Sequence, residues 1–560
     1  MKTTGASIIV KKLLEQNVEY IFGYPGGSVI PLFDELYNHF DKIKLIQPRH
    51  EQGGTHAADG YARTTGKVGV VIVTSGPGAT NTITGIATAY LDSVPLVVIT
   101  GQVPVSMMGS DAFQEVDTTA IASPITKANF LVKDIKELSS TLDLAFHIAS
   151  SSRPGPVLVD IPSDVQKAEI ELSEIKRADL SEFKRKSNVN QDDIEKLFTL
   201  LKQSEKPLII AGGGVIISDS SEYVKKFVKK NNIPMITTLM GKGTYPDNND
   251  LYYEGVGMHG TYYGNYAVQN SDLIIVFGVR FSDRILGNVK EFAPKAKIVQ
   301  IDIDIFEIEK NVRVDIGIKG DLRDVLKKLV GYDSINKDFT PWIKELKRIR
   351  EEYPLTYERK GGLKPQYLIE LVNKYFPDDT VIVADVGQNQ MWTAQFYKFK
   401  KPRTFLTTGG LGTMGYGLPA AIGAKVGNPD KEVVVITGDG GFQMNIQELM
   451  TIKRYGLNVK ILIVDNAYLG MVKQWQELFY NKRYSATPFN DNPDFKKIAE
   501  VIGIKSKTLK KWKNAEKVIK ELYEAKEPML VHALVDREED VFPMVPAGAS
   551  LNEILLNKED

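Results

Sequence analysis

The sequence contains no cysteine among its 560 residues. This absence excludes disulfide bonds, thiol catalysis, zinc–thiolate sites and cysteine-ligated iron–sulfur clusters. The chain also has no net charge, because 70 Lys and Arg residues balance 70 Asp and Glu residues. A neutral protein has no overall attraction for nucleic acid or for an anionic membrane surface, so we expect neither as a partner.

Long apolar runs are missing as well. No stretch comes near the ~18 uninterrupted apolar residues that a membrane span needs, and the first residues lack the apolar core of a secretory signal. We therefore expect a cytoplasmic protein. Its 43% hydrophobic and 25% charged residues are typical of a globular chain. At about 150 residues per domain, the length suits an enzyme of three or four domains.

Short apolar runs, each followed by a glycine-rich turn and a stretch that suits one helix, recur through the chain. Fully apolar runs of this length are typical of parallel strands buried on both faces. Runs joined by one helix predict βαβ units, so the predicted fold is α/β with three doubly wound parallel-sheet domains. In chain order, the paired runs are Val68–Val73 with Pro95–Thr100, Pro207–Ala211 with Pro234–Leu239, and Val433–Thr437 with Val459–Val464.

Two charged stretches, at residues 171–192 and 331–364, predict linkers between these sheets. They divide the chain into three blocks of similar size, and each block carries one copy of the repeated pattern. We therefore expect domains over residues 1–170, 190–330 and 365–545.

Two glycine motifs keep a nicotinamide-dependent dehydrogenase open as an alternative. Gly255–Gly260 and Gly410–Gly415 both match the pattern G-x-G-x-x-G. The residues before the first match, Asp250–Glu254, do not read as a buried strand, whereas a helix-like run follows the second. A scaffold without catalytic activity is a further alternative.

Polar residues follow both apolar runs of the last block. Asp439 comes just after the first of these runs, and Asn466 comes just after the second. Because parallel strands end at the same edge of a sheet, both residues are expected at the edge where ligands bind. A carboxylate, an amide oxygen and a loop carbonyl suit Mg²⁺, while Gly440 and Gly441 let the backbone approach a diphosphate.

The Gly438–Gly441 motif, with Asn466 placed 27 residues after Asp439, resembles the diphosphate and metal motif of the thiamine diphosphate enzymes. The resemblance implies Mg²⁺ ligands from Asp439, Asn466 and the carbonyl of Tyr468. It also implies that Glu51 hydrogen-bonds to the aminopyrimidine ring and promotes loss of the cofactor's C2 proton. The remaining implied cofactor residues are Gln388, Met414, Gly438, Gly440 and Gly441.

Within that family the chain is similar to the acetohydroxyacid synthase (acetolactate synthase) branch over nearly its whole length. The resemblance implies decarboxylation of pyruvate and condensation of the two-carbon unit with a second 2-oxo acid, for valine, leucine and isoleucine biosynthesis. It also implies a homodimer or tetramer with active sites between subunits, and it leaves a small regulatory subunit open. The matching segments are residues 24–27, 49–54, 75–81, 112–115, 153–157, 257–260, 278–284, 469–475 and 541–546.

That branch carries FAD, without redox use, in its middle block. A FAD-free catabolic acetolactate synthase, or another thiamine diphosphate-dependent pyruvate oxidase or decarboxylase, is the alternative. Ser282 stands where the family's middle motif usually has Asp, and Ser163 stands where it usually has Lys. The implied FAD-binding residues are Arg153, Gly212, Gly213, Gly214, His259, Arg280, Asp302 and Asp321.

The resemblance also implies residues for the reaction itself. Gln114 and Gly27 are candidates for contacting the developing oxyanion. Arg280 is the candidate for binding the carboxylate of the second acid. The implied apolar acceptor pocket consists of Phe113, Met471 and Trp475.

Overall fold

The computed structural model describes residues 1–181 and 189–559. These residues form three six-stranded parallel sheets and one antiparallel ribbon of Lys2–Thr4 with Glu169–Glu171. The predicted α/β fold with three doubly wound parallel sheets is therefore confirmed. Residues 182–188, in the middle of the predicted linker 171–192, lie outside the described residues. No helix within the described ranges is both long and apolar enough to cross a bilayer.

A central strand of the first sheet shows why the predicted strands are apolar. In the strand Gly69–Val73, Val71 and Val73 belong to one core while Val70 and Ile72 belong to another. Because both faces are covered by helices, no position faces solvent. The strands, in sheet order, are Lys44–Ile46, Tyr20–Tyr24, Gly69–Val73, Leu96–Gln102, Pro156–Pro162 and Ala128–Leu131. The helices are Gly5–Glu15, Ile30–Tyr37, Glu51–Thr65, Pro77–Thr80, Ile83–Asp92, Thr118–Ala122, Ile135–Ser150 and Ser163–Lys167.

The second sheet follows the same rule. Ile209 and Ala211 face one core, and Leu208 and Ile210 face the other. Its strands, in sheet order, are Tyr252–Gly255, Met235–Thr237, Pro207–Ala211, Leu273–Phe277, Lys297–Asp302 and Ile316–Lys319. Its helices are Gln191–Gln203, Gly213–Ile217, Ser221–Asn231, Tyr262–Asn270, Asp283–Leu286, Leu322–Gly331 and Thr340–Glu352.

One strand of the second sheet contradicts the sequence analysis. Tyr252–Gly255, which includes part of the stretch judged not to be a buried strand, is a strand paired with Met235–Thr237. Its polar side chains are buried because each has a partner. The Tyr252 hydroxyl lies 2.7 Å from the Thr237 hydroxyl, and Glu254 accepts a hydrogen bond from Tyr263 at 2.6 Å.

Part of the predicted linker 331–364 is a packed helix. Thr340–Glu352 buries Trp342, Leu346 and Ile349, which join a core of the second sheet. The Trp342 indole N–H donates to the Pro207 carbonyl at 3.1 Å. The high charge of the segment is therefore confined to the outer face of an amphipathic helix.

The third sheet carries the predicted metal motif. Val433 and Val435 face one core, and Val434 and Ile436 face another. Its strands, in sheet order, are Phe405–Leu406, Val381–Ala384, Val433–Gly438, Val459–Asp465, Met529–Leu534 and Lys505–Leu509. Its helices are Pro365–Tyr375, Gln388–Phe396, Gly417–Gly427, Asp439–Met444, Leu449–Tyr455, Gly470–Phe479, Phe495–Ile502 and Trp512–Glu524.

Two helices join the first and third sheets into one shared core. Glu51–Thr65 packs on Gly417–Gly427 so closely that a Cβ at Gly423 would lie 1.7 Å from the Ala57 carbonyl oxygen. A Cβ at Gly60 would likewise lie 2.2 Å from the Ala420 carbonyl oxygen. Glycine is required at these two positions because backbone meets backbone. The contact fixes the helix that begins with Glu51 against the third sheet of the same chain.

Candidate active site

Asp439 and Asn466 lie at the carboxyl edge of the third sheet, on neighbouring strands. Their strands pair in register, with Gly438 opposite Val464. The Asp439 carboxylate is buried and accepts a hydrogen bond from the Asn492 amide at 2.7 Å. Burial, aided by the nearby Asp465 carboxylate, raises the pKa of Asp439 to about 7. The two predicted ligands are thus brought together by adjacent strand ends, as parallel pairing requires.

Asn466 and Tyr468 complete the predicted ligand set. The Asn466 amide donates to the Gln388 side-chain oxygen at 2.9 Å, and its own oxygen accepts the Tyr468 N–H at 3.1 Å. One carboxylate, one amide oxygen and one backbone carbonyl form a hard-oxygen donor set that fits Mg²⁺. Within the described ranges, no group of three or more His, Asp or Glu residues is arranged to hold a metal ion. A site of this composition relies on oxygens from its ligand, as Mg²⁺ bound to a diphosphate does.

Close packing explains the two glycines that follow Asp439. A Cβ at Gly440 would lie 2.9 Å from the Phe489 ring and 3.5 Å from the Met414 methyl carbon. A Cβ at Gly441 would lie 2.7 Å from an Asp385 carboxylate oxygen. The motif therefore leaves bare backbone beside the predicted metal ligands, and it places Met414 against that backbone.

Asp385 is a site residue that the sequence analysis missed. It is buried and accepts the N–H groups of Gly415 at 3.0 Å and Gly417 at 2.9 Å. These bonds hold the loop that carries Met414. Burial raises the pKa of Asp385 to about 6. The available signal was its position directly after the apolar strand Val381–Ala384, which matches the position of Asp439.

The residues predicted from the first block form a separate group. Glu51 begins the helix Glu51–Thr65, and its carboxylate accepts from the Asn81 amide at 2.9 Å. In the part of the chain that the structure describes, no hydrogen bond links the Glu51 side chain to the third block. Gly27 is exposed, Gln114 has a φ of +62°, and the Phe113 side chain is 88% exposed. Asn81, which orients Glu51, was missed by the sequence analysis as a functional residue.

A cavity of about 1510 Å³ lies among the three blocks. Its size suits a dinucleotide, and the buried Nδ1 atom of His259 has no hydrogen-bond partner among the described residues. Gly212 and Phe113 are not part of its lining, whereas Ser282 is. The predicted residues that line it are Arg153, Gly213, Gly214, His259, Arg280, Asp302, Asp321, Met471 and Trp475.

Gly212 lies next to the lining residues Gly213 and Gly214 but packs against the neighbouring loop. A Cβ at Gly212 would lie 2.2 Å from the Gly278 carbonyl oxygen. The loop after Pro207–Ala211 therefore packs directly on the loop after Leu273–Phe277. Ser163, the other departure from the family pattern, begins the short helix Ser163–Lys167 in the first block.

Most charged groups in the cavity wall are already paired. Arg153 forms ion pairs with Asp304 at 3.2 Å and with Glu307 at 2.8 Å. Arg280 donates to the Leu91 carbonyl, and its guanidinium lies 3.9 Å from Asp92. Burial lowers the pKa of His259 to about 4 and raises the pKa of Asp302 to about 6. These ion pairs join the first and second blocks around the cavity.

Arg284 is a third residue that the sequence analysis did not assign. Its guanidinium lies 5.8 Å from the centre of the Trp475 ring, and its side chain is 54% exposed. The Trp475 indole N–H is buried without a hydrogen-bond partner in the described ranges. Arg284 is therefore an arginine next to the predicted acceptor pocket, and it lines the same cavity as Arg280.

Comparison with known proteins identifies the family of the chain. The family described as "Thiamine pyrophosphate enzyme, C-terminal TPP binding domain" matches residues 385–533, its central domain matches 194–329, and its N-terminal TPP binding domain matches 3–121. The acetolactate synthase large subunit of Lactococcus lactis is 45% identical over 99% of this chain and 96% of its own length. The corresponding protein of Corynebacterium glutamicum is 46% identical over 99% and 90%, and that of Haemophilus influenzae is 43% identical over 100% and 99%. The chain therefore belongs to the acetolactate synthase large-subunit family of thiamine pyrophosphate enzymes.

Proposed function

We propose that this chain is the catalytic subunit of an acetolactate synthase, which decarboxylates pyruvate and condenses the two-carbon unit with pyruvate or 2-oxobutyrate. The products are the acetohydroxy acids that lead to valine, leucine and isoleucine. The observation that carries the proposal is 43–46% identity to acetolactate synthase large subunits over at least 99% of the chain. The name of these relatives, large subunit, supports a small regulatory partner for this chain.

The cofactor residues follow from the edge of the third sheet. Asp439, the Asn466 amide oxygen and the Tyr468 carbonyl would hold Mg²⁺. The bare backbone at Gly438, Gly440 and Gly441 would face the diphosphate, with Gln388 fixing the Asn466 amide and Met414 packing against the cofactor. Thiamine diphosphate, when bound, supplies the electron sink for decarboxylation.

Glu51 acts from a neighbouring copy of the chain in this proposal. Its carboxylate holds and releases the proton that the aminopyrimidine ring exchanges, while the Asn81 amide keeps it oriented. The Gln114 side chain and the exposed backbone at Gly27 come from the same copy and contact the developing oxyanion. A homodimer or tetramer is therefore required for activity.

The large cavity supports a bound FAD in a non-redox role. Gly213 and Gly214 would admit the phosphates, while Gly212 packs on Gly278 outside the lining. Asp302 and Asp321 stand at strand and helix ends where ribose hydroxyls would be bound. Arg153, His259 and Arg280 line the same space. A cavity built from all three blocks explains why a flavin without redox use would still stabilise the fold.

The acceptor pocket is built on the helix Gly470–Phe479. Met471 and Trp475 lie on its cavity side, and Phe113 would be added from the neighbouring copy. The Arg280 guanidinium already contacts Leu91 and Asp92 of the first block. We therefore propose that Arg284, which lies over the Trp475 ring, binds the carboxylate of the second 2-oxo acid.

Incubation with pyruvate, Mg²⁺ and thiamine diphosphate tests the proposed function. We expect acetolactate as the product, its loss in Asp439→Asn, and its retention in the control Asp247→Asn, a carboxylate of the second block whose side chain is 1% exposed. A flavin spectrum in the purified protein that pyruvate does not bleach supports non-redox FAD. Acetaldehyde as the main product would identify a decarboxylase, bleaching would identify an oxidase, and active protein without flavin would identify the FAD-free class.

A further inference from the structure

The strand Val459–Asp465 ends in a carboxylate that the proposed ligand set does not use. Asp465 is 5% exposed. One of its oxygens lies 2.7 Å from Nε2 of His532, which belongs to the neighbouring strand Met529–Leu534. The other oxygen accepts the Ala467 N–H at 2.9 Å and the Asn492 amide at 3.2 Å. Every polar atom of this carboxylate is thus held in a fixed orientation.

Asn492 connects Asp465 to the proposed metal site. The same amide nitrogen that donates to Asp465 donates to Asp439 at 2.7 Å. The Asn492 oxygen accepts a hydrogen bond from Gln443 at 3.0 Å, so the amide cannot be reversed without losing that bond. Two buried carboxylates therefore share one NH₂ group at the edge of the third sheet.

Turn formation alone does not explain an aspartate at position 465. An asparagine side chain would accept the Ala467 N–H equally well. Two like charges held this close under low exposure repel each other, which costs stability unless a cation lies nearby. A divalent cation at the strand ends would offset this repulsion.

We propose that Asp465, positioned by His532, is an outer carboxylate of the divalent-cation site, and that Asn492 couples it to Asp439. The inference rests on the proposed Mg²⁺ site. Asp465 does not touch the ion; it adds negative charge beside it and, through Asn492, fixes the orientation of the Asp439 carboxylate. Asn492 and His532 are positioning residues in this arrangement.

Binding of Mn²⁺ in the presence of thiamine diphosphate, followed by electron paramagnetic resonance, tests the inference without measuring turnover. We expect Asp465→Asn to weaken Mn²⁺ affinity by about 10- to 100-fold, the range for loss of an outer-shell partner. Asn492→Ala should weaken it similarly, and the double variant should lose less than the sum of the two effects. The matched control Asp247→Asn should bind Mn²⁺ as the unaltered protein does.

Variants at His532 test the positioning role. His532→Gln keeps a hydrogen-bond donor for Asp465 and should retain most of the affinity, whereas His532→Leu should lose it. If the unaltered protein binds Mn²⁺ and Asp465→Asn binds it equally well, the inference is overturned and the proposed function stands. If Asp465→Asn does not fold, unchanged binding in Asn492→Ala overturns it instead. If the unaltered protein binds no Mn²⁺ with the cofactor, the proposed function itself fails.

Discussion

At the scale of single residues, the proposed acceptor pocket depends on the ring face of Trp475. Trp475 has a large apolar ring in the cavity wall and a guanidinium above it, but its indole N–H bonds to nothing in the described ranges. Its contribution is therefore shape and apolar contact. One additional methylene on the acceptor is worth about 1–3 kcal/mol in a fitted pocket.

Trp475→Leu should reduce the preference for 2-oxobutyrate over pyruvate as acceptor, by about 10-fold or more, because the wall that the methylene contacts is removed. The measurement is the ratio of the two acetohydroxy acids formed from mixed acceptors. Trp512→Leu, in the remote helix Trp512–Glu524, is the matched control and should leave the ratio unchanged. An unaltered ratio in folded Trp475→Leu protein would show that this wall does not select the acceptor.

His56 predicts a pH dependence of stability. Both ring nitrogens are buried without a partner in the described ranges, and the ring packs edge-on against Tyr416. Burial, followed by the nearby Arg63 charge, lowers the pKa of His56 to about 3. The unfolded chain, with a histidine pKa of about 6.5, therefore binds more protons than the folded chain below that pH.

Stability should consequently fall as the pH drops below about 6.5, by up to about 1.4 kcal/mol per unit from this group. His56→Leu removes the group, so its melting temperature should fall less between pH 7.5 and pH 5 than that of the unaltered protein. His39→Leu, at a half-buried position, is the control and should keep the original dependence. An equal fall in melting temperature between pH 7.5 and pH 5 for all three proteins would contradict this account.

At the scale of helices and strands, the sequence predicts what depends on local pattern. Strands such as Val433–Gly438 are recognisable because burial on both faces makes most of their positions apolar. Tyr252–Gly255 was missed because its polar groups are satisfied by tertiary partners, which a pattern of hydrophobicity does not register. Asp385 and Asn492 were missed for the same reason: their roles come from contacts with loops distant in sequence.

The contact between Glu51–Thr65 and Gly417–Gly427 can be tested at one glycine. Gly423→Ala adds a methyl group that would lie only 1.7 Å from the Ala57 carbonyl oxygen, which is far inside van der Waals contact. We expect the free energy of unfolding to fall by about 1–3 kcal/mol because of overpacking. The first unfolding transition should therefore occur at a lower temperature. Because the displaced helix begins with Glu51, activity should fall as well.

The control for Gly423→Ala is Gly331→Ala, at the end of the helix Leu322–Gly331, where a new Cβ meets nothing within 4 Å. It should leave the unfolding transition unchanged or slightly raised. Equal stability of the two variants would mean that the helices separate to admit the methyl group without cost.

At the scale of the whole molecule, the candidate site is divided. The predicted metal motif, the helix Gly470–Phe479 and the large cavity lie together in one chain. Glu51, Gln114 and Phe113 lie on the first block, without a hydrogen bond to that motif in the described ranges. Sequence resemblance supplied the identities of these residues. In the proposed assembly their mutual arrangement depends on a second copy, which a single chain does not contain.

Mixing two inactive variants tests that arrangement. Glu51→Gln and Asp439→Asn should each be inactive alone. If Glu51 acts on a neighbouring chain, a mixed dimer has one site with both native residues and one with neither. Random pairing by co-expression makes half the dimers mixed, so activity should return to about one quarter of the unaltered level, by the symmetry of the twofold interface.

The control pairs Glu51→Gln with Glu51→Ala, two lesions in the same block. No dimer of these two variants contains a native Glu51, so no activity should return whatever the assembly. If Glu51 instead acted within its own chain, the first mixture would stay as inactive as this control, because every chain would carry one lesion in its own site. Recovery in the first mixture alone therefore requires that the acid and the metal motif come from different chains.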